Sequence, residues 1–360
     1  MRSFSAKTAA IILAAVLLLP QRAQAVSAKR AVLLEPVSGR LLYEKSPGDR
    51  APMASTTKIM TALLICEQCN VLDRMRIPKE AVGIEGSSMY LQEGEVLTLQ
   101  ELLYGLMLSS GNDAAVALAI YCGGTVEGFV ERMNDKARAL GLSDTHFANP
   151  NGLDAPDHYS TARDLAKLGA YAMENPIFAK TVSTKTVKVG ERYLKNHNKL
   201  LWLAEGAEGI KTGYTRAAGR ILVSSAQRQG RRLVAATMDA PQDWQDHRAL
   251  LDRGFEDFAP RLLISAGEQL GKRRVMGGTG EVRLLAARDF TYALGREEQP
   301  QIVPGGQEFV YAPVVQGGDA GWAYVLLSGK VIGKVELVYG ETVEKELPSK
   351  KPFWKFWREK

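Results

Sequence analysis

Ala54-Ser55-Thr56-Thr57-Lys58-Ile59-Met60, "ASTTKIM", sets a serine three residues before a lysine at the head of an apolar run. At the start of a helix, positions i and i+3 share a face, so the Lys58 amine can reach the Ser55 hydroxyl. A serine hydroxyl is a weak nucleophile until a base takes its proton. A lysine can be that base only when neutral. At ordinary residue frequencies a Ser-x-x-Lys match arises by chance about once in a chain of this length. Alone, Ser55 reads equally as a helix cap, so the rest of the chain decides.

Two further stretches bear on it. The segment Thr98 to Cys122 reads as two helices broken at Ser109-Ser110-Gly111-Asn112, where Ser110 or Asn112 could cap the second. Lys211-Thr212-Gly213 lies on a strand-like run, "GIKTG". Lys211 is a second cation that, together with burial, would depress the pKa of Lys58. The helix start at Ser55 offers backbone N–H groups to a developing oxyanion. Ser110 can pass a proton between Lys58 and a leaving amine, and Asn112 offers a donor and an acceptor to a substrate amide. Gly213 lets substrate lie against the strand edge as an added strand. Singly, each has a bland reading as a cap, a turn or a surface residue. Three such motifs in this order, each on a fitting element, make coincidence remote.

The 360 residues, 46% apolar and 24% charged, suffice for two domains with cores. Arg2 and Lys7, the apolar run Ala9 to Pro20 and "AQA" at Ala23 to Ala25 read as a secretory signal peptide over residues 1–25. An uncleaved anchor is the alternative. Loss of Arg2, Lys7 and Arg22 with that segment lowers the net charge from +6 to +3, which is no nucleic-acid signature. Cys66, Cys69 and Cys122 make no disulfide framework. His146, His158, His197 and His247 form no metal-ligand spacing, so neither metal nor cofactor is expected. At the far end, "KKPFWKFWREK" sets Phe353, Trp354, Phe356 and Trp357 on one helical face among cations. That pattern suits a bilayer interface with anionic lipid; a disordered tail is the alternative.

The order of elements predicts an α+β domain. Two strands flank the turn Pro36 to Gly39, and helical patterns follow at Thr56 to Cys69, Thr98 to Cys122, Val126 to Leu142 and Ser160 to Met173. Strands then run at Thr186 to Gly190, Gly209 to Gly213, Gly219 to Gln227 and Arg231 to Ala240, before a helix at Asp243 to Phe258. An antiparallel sheet flanked by helices is the simplest architecture for residues 26–261. Short alternating runs between Gly-rich turns predict a small all-β domain over 262–347, ahead of the tail at 348–360.

Together these motifs resemble the active-site set of penicillin-binding proteins and β-lactamases. The chain is similar over about 28–260 to low-molecular-mass penicillin-binding proteins, the serine-type D-alanyl-D-alanine carboxypeptidases. "ASTTKIMTALL", "LMLSSGNDAAVALA", "NPNGLDAPDHYSTARDLAKLG" and "GIKTGYTRAAGRILVSSA" carry the likeness. The resemblance implies a transpeptidase-like domain and a hydrolase outside the cytoplasmic membrane. It would trim the terminal D-alanine from peptidoglycan pentapeptides and be acylated by β-lactams. Ser55 would be the acylated nucleophile, Lys58 its base, and Ser110 and Asn112 would serve proton transfer and amide binding. Lys211 and Thr212 would face the terminal carboxylate, and the backbone N–H groups of Ser55 and Tyr214 would form the oxyanion hole. Asp154 and Arg163 resemble the family's pocket-bordering pair. Arg248 is the candidate for a further carboxylate-binding arginine. A DD-endopeptidase, a β-lactamase and a non-catalytic envelope scaffold are the alternatives. An E-x-x-L-N deacylation motif is missing around Glu131, and a scaffold would not need Ser55, Lys58 and Lys211 together.

Overall fold

A computed structural model describes residues 26–346, in two compact units divided at Phe255/Glu256. The signal-peptide segment and the aromatic, basic tail lie outside the described residues.

The first unit is built on a five-stranded sheet. Its strands are β1 (Arg30–Glu35), β2 (Arg40–Lys45), β3 (Ala207–Thr215), β4 (Gly219–Arg228) and β5 (Arg231–Met238), in the order β2-β1-β5-β4-β3 and antiparallel throughout. Thus β3, which carries Lys211, Thr212 and Gly213, is an edge strand. The helices are α1 (Lys58–Gln68, entered through a 3-10 turn at Ala54–Thr57), α2 (Leu99–Leu108), α3 (Asn112–Gly123), α4 (Val126–Ala139), α5 (Ala162–Ala172), α6 (Pro176–Ser183) and α7 (Asp243–Asp257). The expected elements are present. The sequence patterns missed α6, which Asn175 caps with Pro176 at its first position. They also missed the short strands Arg74–Arg76, Val96–Thr98 and Arg192–Lys195.

Strand β1 explains its own sequence. Val32 and Leu34 join the core formed with α1 to α6, while Ala31 and Leu33 face Leu250 and Leu251 of α7. A strand covered on both faces loses the alternation of polar and apolar residues, hence the unbroken "AVLL". Helix α3 is apolar on nearly every side because it runs through the core, and among the described residues no single helix is long and apolar enough to cross a membrane.

One buried histidine ties α7 to the sheet. His247 Nδ1 lies 2.6 Å from Ser224 Oγ on β4, and its Nε2 lies 2.9 Å from Thr237 Oγ1 on β5. Complete burial pushes its pKa down to about 3.

In the second unit, β6 (Phe258–Ile264) pairs with β9 (Phe290–Gly295). The other strands are β7 (Gln269–Met276), β8 (Glu281–Ala286), β10 (Gln301–Pro304), β11 (Phe309–Tyr311), β12 (Asp319–Leu327) and β13 (Lys330–Tyr339). They form a sheet in the order β10-β12-β13-β8-β7-β11, in which only β7 and β11 run parallel. The unit is all-β, as expected. It begins six residues before the expected 261/262 boundary, because the run Phe258 to Arg261, which the sequence pattern placed in the first domain, pairs as a strand within it.

Because a folded-state pKa of about 3 for His247 and about 4 for His158 both lie below the ordinary 6.5, the fold holds each ring neutral. Their stabilisation is present above pH 6.5 and is lost as pH falls through the window toward 4 and then 3. The stability of the full chain should therefore fall steadily between about pH 6.5 and 4, by an amount on the order of a few kcal/mol, and its melting temperature should fall with it. His247→Asn should lower the neutral-pH value and flatten that slope; an unchanged slope would refute the assignment.

Candidate active site

The three sequence motifs converge on one cleft of about 990 Å³ whose lining includes Ser55, Ser110, Thr212, Gly213 and Tyr214. Lys58 and Lys211 stand behind it, 0% and 1% exposed.

Lys58 defines the chemistry. Its Nζ makes three hydrogen bonds: with Ser55 Oγ at 3.0 Å, with Asn112 Oδ1 at 2.7 Å, and with the carbonyl oxygen of Asn151. The two carbonyl oxygens are pure acceptors, so they take two N–H groups. A neutral amine has two N–H groups and one lone pair, and the lone pair is then left for the Ser55 hydroxyl to donate into. Burial, first, and the Lys211 charge, second, push the Lys58 pKa well below its ordinary value, against a smaller opposing pull from Asp113. Burial likewise lowers Lys211 to about 7, and Lys211 Nζ donates to its neighbour's carbonyl, Thr212 O, at 2.9 Å.

The nucleophile turn is wedged in place by close backbone contacts. A Cβ at Gly213 would lie 3.2 Å from Ser55 N and 3.2 Å from Ala54 Cβ, so a larger residue would push β3 and the turn apart by a few tenths of an ångström. Gly213 thus makes room for the nucleophile as well as for a strand-like substrate. On the other side, Gly152 has φ +90°, and a Cβ there would meet Ala54 O at 2.1 Å. Beneath the turn, Ala148 N–H donates to His158 Nδ1 at 3.0 Å, which places the ring proton on Nε2, facing Thr57 Oγ1 at 2.7 Å. Thr57 Oγ1 in turn donates to Ala54 O at 2.8 Å. Burial holds His158 at about 4, so this relay stays intact at neutral pH.

Neither Ser110 nor Asn112 caps α3 by a side-chain hydrogen bond, contrary to expectation; the N-cap is Gly111. Ser110 is buried, with φ +60° in the left-handed region, and lines the cleft. Asn112 is more committed than its sequence suggested. Its Oδ1 takes a Lys58 N–H and its Nδ2 donates to Glu85 O at 2.5 Å, so it orients the lysine. Asp113 clamps the adjoining loop, accepting from Ser88 Oγ (2.6 Å), Leu91 N (3.0 Å) and Met89 N (3.1 Å).

Two expectations fail. Arg248 is exposed on α7 and does not line the cleft, because it follows His247 by one position and so points away from the helix's buried face. The guanidinium in the cleft is Arg220 on β4, opposite Tyr214 in the strand register. Asp243 grips it with both carboxylate oxygens at 2.9 Å, and Trp244 lies under it at 5.7 Å. Nor do Asp154 and Arg163 pair with each other. Asp154 accepts from Thr215 Oγ1 at 3.0 Å, whereas Arg163 lines a separate groove with Leu34 and Val37. Sequence reasoning also missed Asn151, Gly152 and His158, which lie within a stretch quoted for its family likeness, and the cleft residues His197 and Trp202.

Comparison with known proteins agrees with this geometry. A family model described as D-alanyl-D-alanine carboxypeptidase matches residues 19–242, and one described as penicillin-binding protein 5, C-terminal domain, matches residues 258–345. D-alanyl-D-alanine carboxypeptidase DacF of Bacillus subtilis is 31% identical over 335 residues, covering 88% of this chain and 86% of its own. DacC of Escherichia coli, another protein of that name, is 32% identical over 342 residues, covering 89% and 86%. Among solved structures, penicillin binding protein 5 from Haemophilus influenzae superposes with a TM-score of 0.77 at 30% identity, over 91% of this chain and all of that one.

The lysine pair predicts a directional pH effect. Lys211→Met removes the second cation, so the Lys58 pKa should rise and the acid limb of Ser55 acylation should move to higher pH. Stopped-flow acylation by a chromogenic β-lactam measures the limb. A limb that stays put or moves down excludes Lys211 as a source of the depression.

Proposed function

The chain belongs to the D-alanyl-D-alanine carboxypeptidase family, and we propose that it removes the terminal D-alanine from peptidoglycan pentapeptides through an acyl-enzyme on Ser55, the residue that β-lactams also acylate. The observation that carries this reading is the placement of Lys58 Nζ, fully buried, subject to the Lys211 charge and 3.0 Å from Ser55 Oγ, which favours the neutral amine that can take the Ser55 proton.

The steps follow from the geometry. Ser55 Oγ attacks the carbonyl carbon of the penultimate D-alanine as its proton passes to Lys58 Nζ. The resulting oxyanion is held by backbone N–H groups at Ser55 and Tyr214. Collapse breaks the peptide bond, and the proton returns from Lys58 by way of Ser110 Oγ to the departing amine of D-alanine. Water then adds to the ester carbon as its proton passes by way of Ser110 to Lys58; the bond to Ser55 Oγ breaks, Lys58 returns that proton to Oγ, and the shortened peptide leaves with a new terminal carboxyl group. The substrate's terminal carboxylate is received by Thr212, Lys211 and Arg220, whose cleft position and grip by Asp243 support that role.

The active form is exported and works on the outer face of the cytoplasmic membrane, with the tail resting on anionic lipid. The charged start, apolar run and small-residue exit of residues 1–25 support export, and the interleaved tryptophans and lysines of 350–360 support the membrane contact.

Mass spectrometry after exposure to penicillin should find the drug on the Ser55 peptide, and Ser55→Ala should abolish it. No adduct at Ser55 would sink the proposal. Supplied with a muramyl pentapeptide and a cross-linked dimer, the enzyme should release D-alanine from the first; splitting of the dimer alone would mark an endopeptidase. Arg220→Ala should raise KM for the pentapeptide about tenfold or more, the scale of one charge-assisted hydrogen bond, with little change in kcat. A KM that does not move would remove Arg220 from the carboxylate site. Co-sedimentation with anionic liposomes should be lost when the chain ends at Pro348.

A further inference from the structure

The helices that carry the base and its orienting amide meet again at their far ends. Helix α1 begins at Lys58 and is capped by Cys69; helix α3 begins at Asn112 and carries Cys122 in its last turn. Both cysteines are half-buried against the main core. Cys122 Sγ lies 3.6 Å from Oε1 of Gln68, the residue next to Cys69. Arg132 of α4 spans the same spot, donating to Gln68 Oε1 at 3.2 Å and approaching Cys122 Sγ at 4.0 Å. Burial, and after it the facing Cys122 thiol, push the Cys69 thiol up to about 12. Cys66 sits one turn earlier and is buried, so it is an internal reference on the same helix.

We propose that Cys69 and Cys122 form a disulfide when the chain enters an oxidising compartment, clamping the ends of α1 and α3 opposite the active site. The proposal rests on the export reading. The oxidant is a disulfide donor, either glutathione disulfide or an oxidoreductase in its disulfide form. One cysteine attacks the donor as a thiolate, forming a mixed disulfide and releasing one donor thiol. The second cysteine attacks the mixed disulfide and releases the other donor thiol. The two cysteines are oxidised by two electrons, and the donor takes both electrons and both protons. The bond closes a loop of about fifty residues that contains Ser110 and Asn112. Because α1 and α3 each run about 16 Å, at 1.5 Å per residue, from the site to the clamp, the bond acts on stability and not on the chemistry.

The test uses the full mature chain, incubated with glutathione disulfide and mapped by alkylation and mass spectrometry. The expected result is a peptide pair joined at Cys69 and Cys122, lighter by two hydrogens, while Cys66 remains alkylated. The oxidised protein should melt roughly 5–10 °C above the reduced one, and Cys122→Ser should lose both the link and that difference. The penicillin acylation rate of Cys122→Ser should match the parent. Free alkylation of Cys69 and Cys122 after the incubation, or a link through Cys66, overturns the proposal. A chain recovered reduced from acid-quenched cells overturns closure on export, and penicillin labelling of Ser55 in that sample separates this failure from failure of the enzymatic reading.

Discussion

Two buried lysine amines, Lys58 and Lys211, with no carboxylate among the described residues bonded to either, set the terms for the site. A buried cation without a partner is expensive, and a second one nearby adds repulsion. The cheapest response is to release a proton, and Lys58 is the group so placed: wholly enclosed, beside Lys211, with Asp113 pulling only weakly the other way. A residue that is normally a charged surface group is thereby held as a base. The carbonyl oxygens of Asn112 and Asn151 then decide where its lone pair points.

The fold supplies that enclosure by bringing three chain segments to one place. The Ser55 turn lies between edge strand β3 and the segment at Gly152, both approaching closely at a glycine, and at Gly152 no side chain fits. Thr61 Oγ1 donates to Pro150 O at 2.6 Å, which binds the same segment along α1. His158 and Asp113 touch no reacting atom, yet one supports the nucleophile turn and the other fixes the loop beside Asn112. Positioning of this kind makes the pairs at 2.7 and 3.0 Å reproducible, and small losses of it are costly to rate.

The parts of this arrangement legible in the sequence are those encoded locally. Helix periodicity, strand runs and the i, i+3 spacing of Ser55 and Lys58 depend on a few neighbouring residues, and they yielded the α+β class and the reactive pair. The contact of Lys58 with Asn151 spans 93 positions and left no local trace. Arg248 was the candidate because it lies late in the domain, whereas Arg220, within "AAGRILVSSA", stands more than twenty residues before the Asp243 and Trp244 that hold it. Only the strand register, which sets Arg220 opposite Tyr214, distinguishes them. Helix α6 escaped notice because eight residues carry too little periodicity, although its Asn-Pro start is a legible cap.

The same register bears on how an acyl-enzyme would be cleared. Among the described residues lining the cleft, the sole carboxylate is Asp243, and both of its oxygens are engaged by Arg220. Burial raises its pKa against the pull of Arg220, but it stands with Arg220 on the side that would take the substrate's terminal group, away from the ester. In the proposed reaction, activation of water falls to Lys58, once it has returned its proton to the leaving amine. One amine then serves both halves of the reaction. A bulky acyl group with no departing amine to vacate the cleft, such as an opened β-lactam, would stand between that amine and water. In the proposed reaction, turnover of a peptide and trapping by a β-lactam depend on one feature, the placement of Lys58 behind the acylated serine.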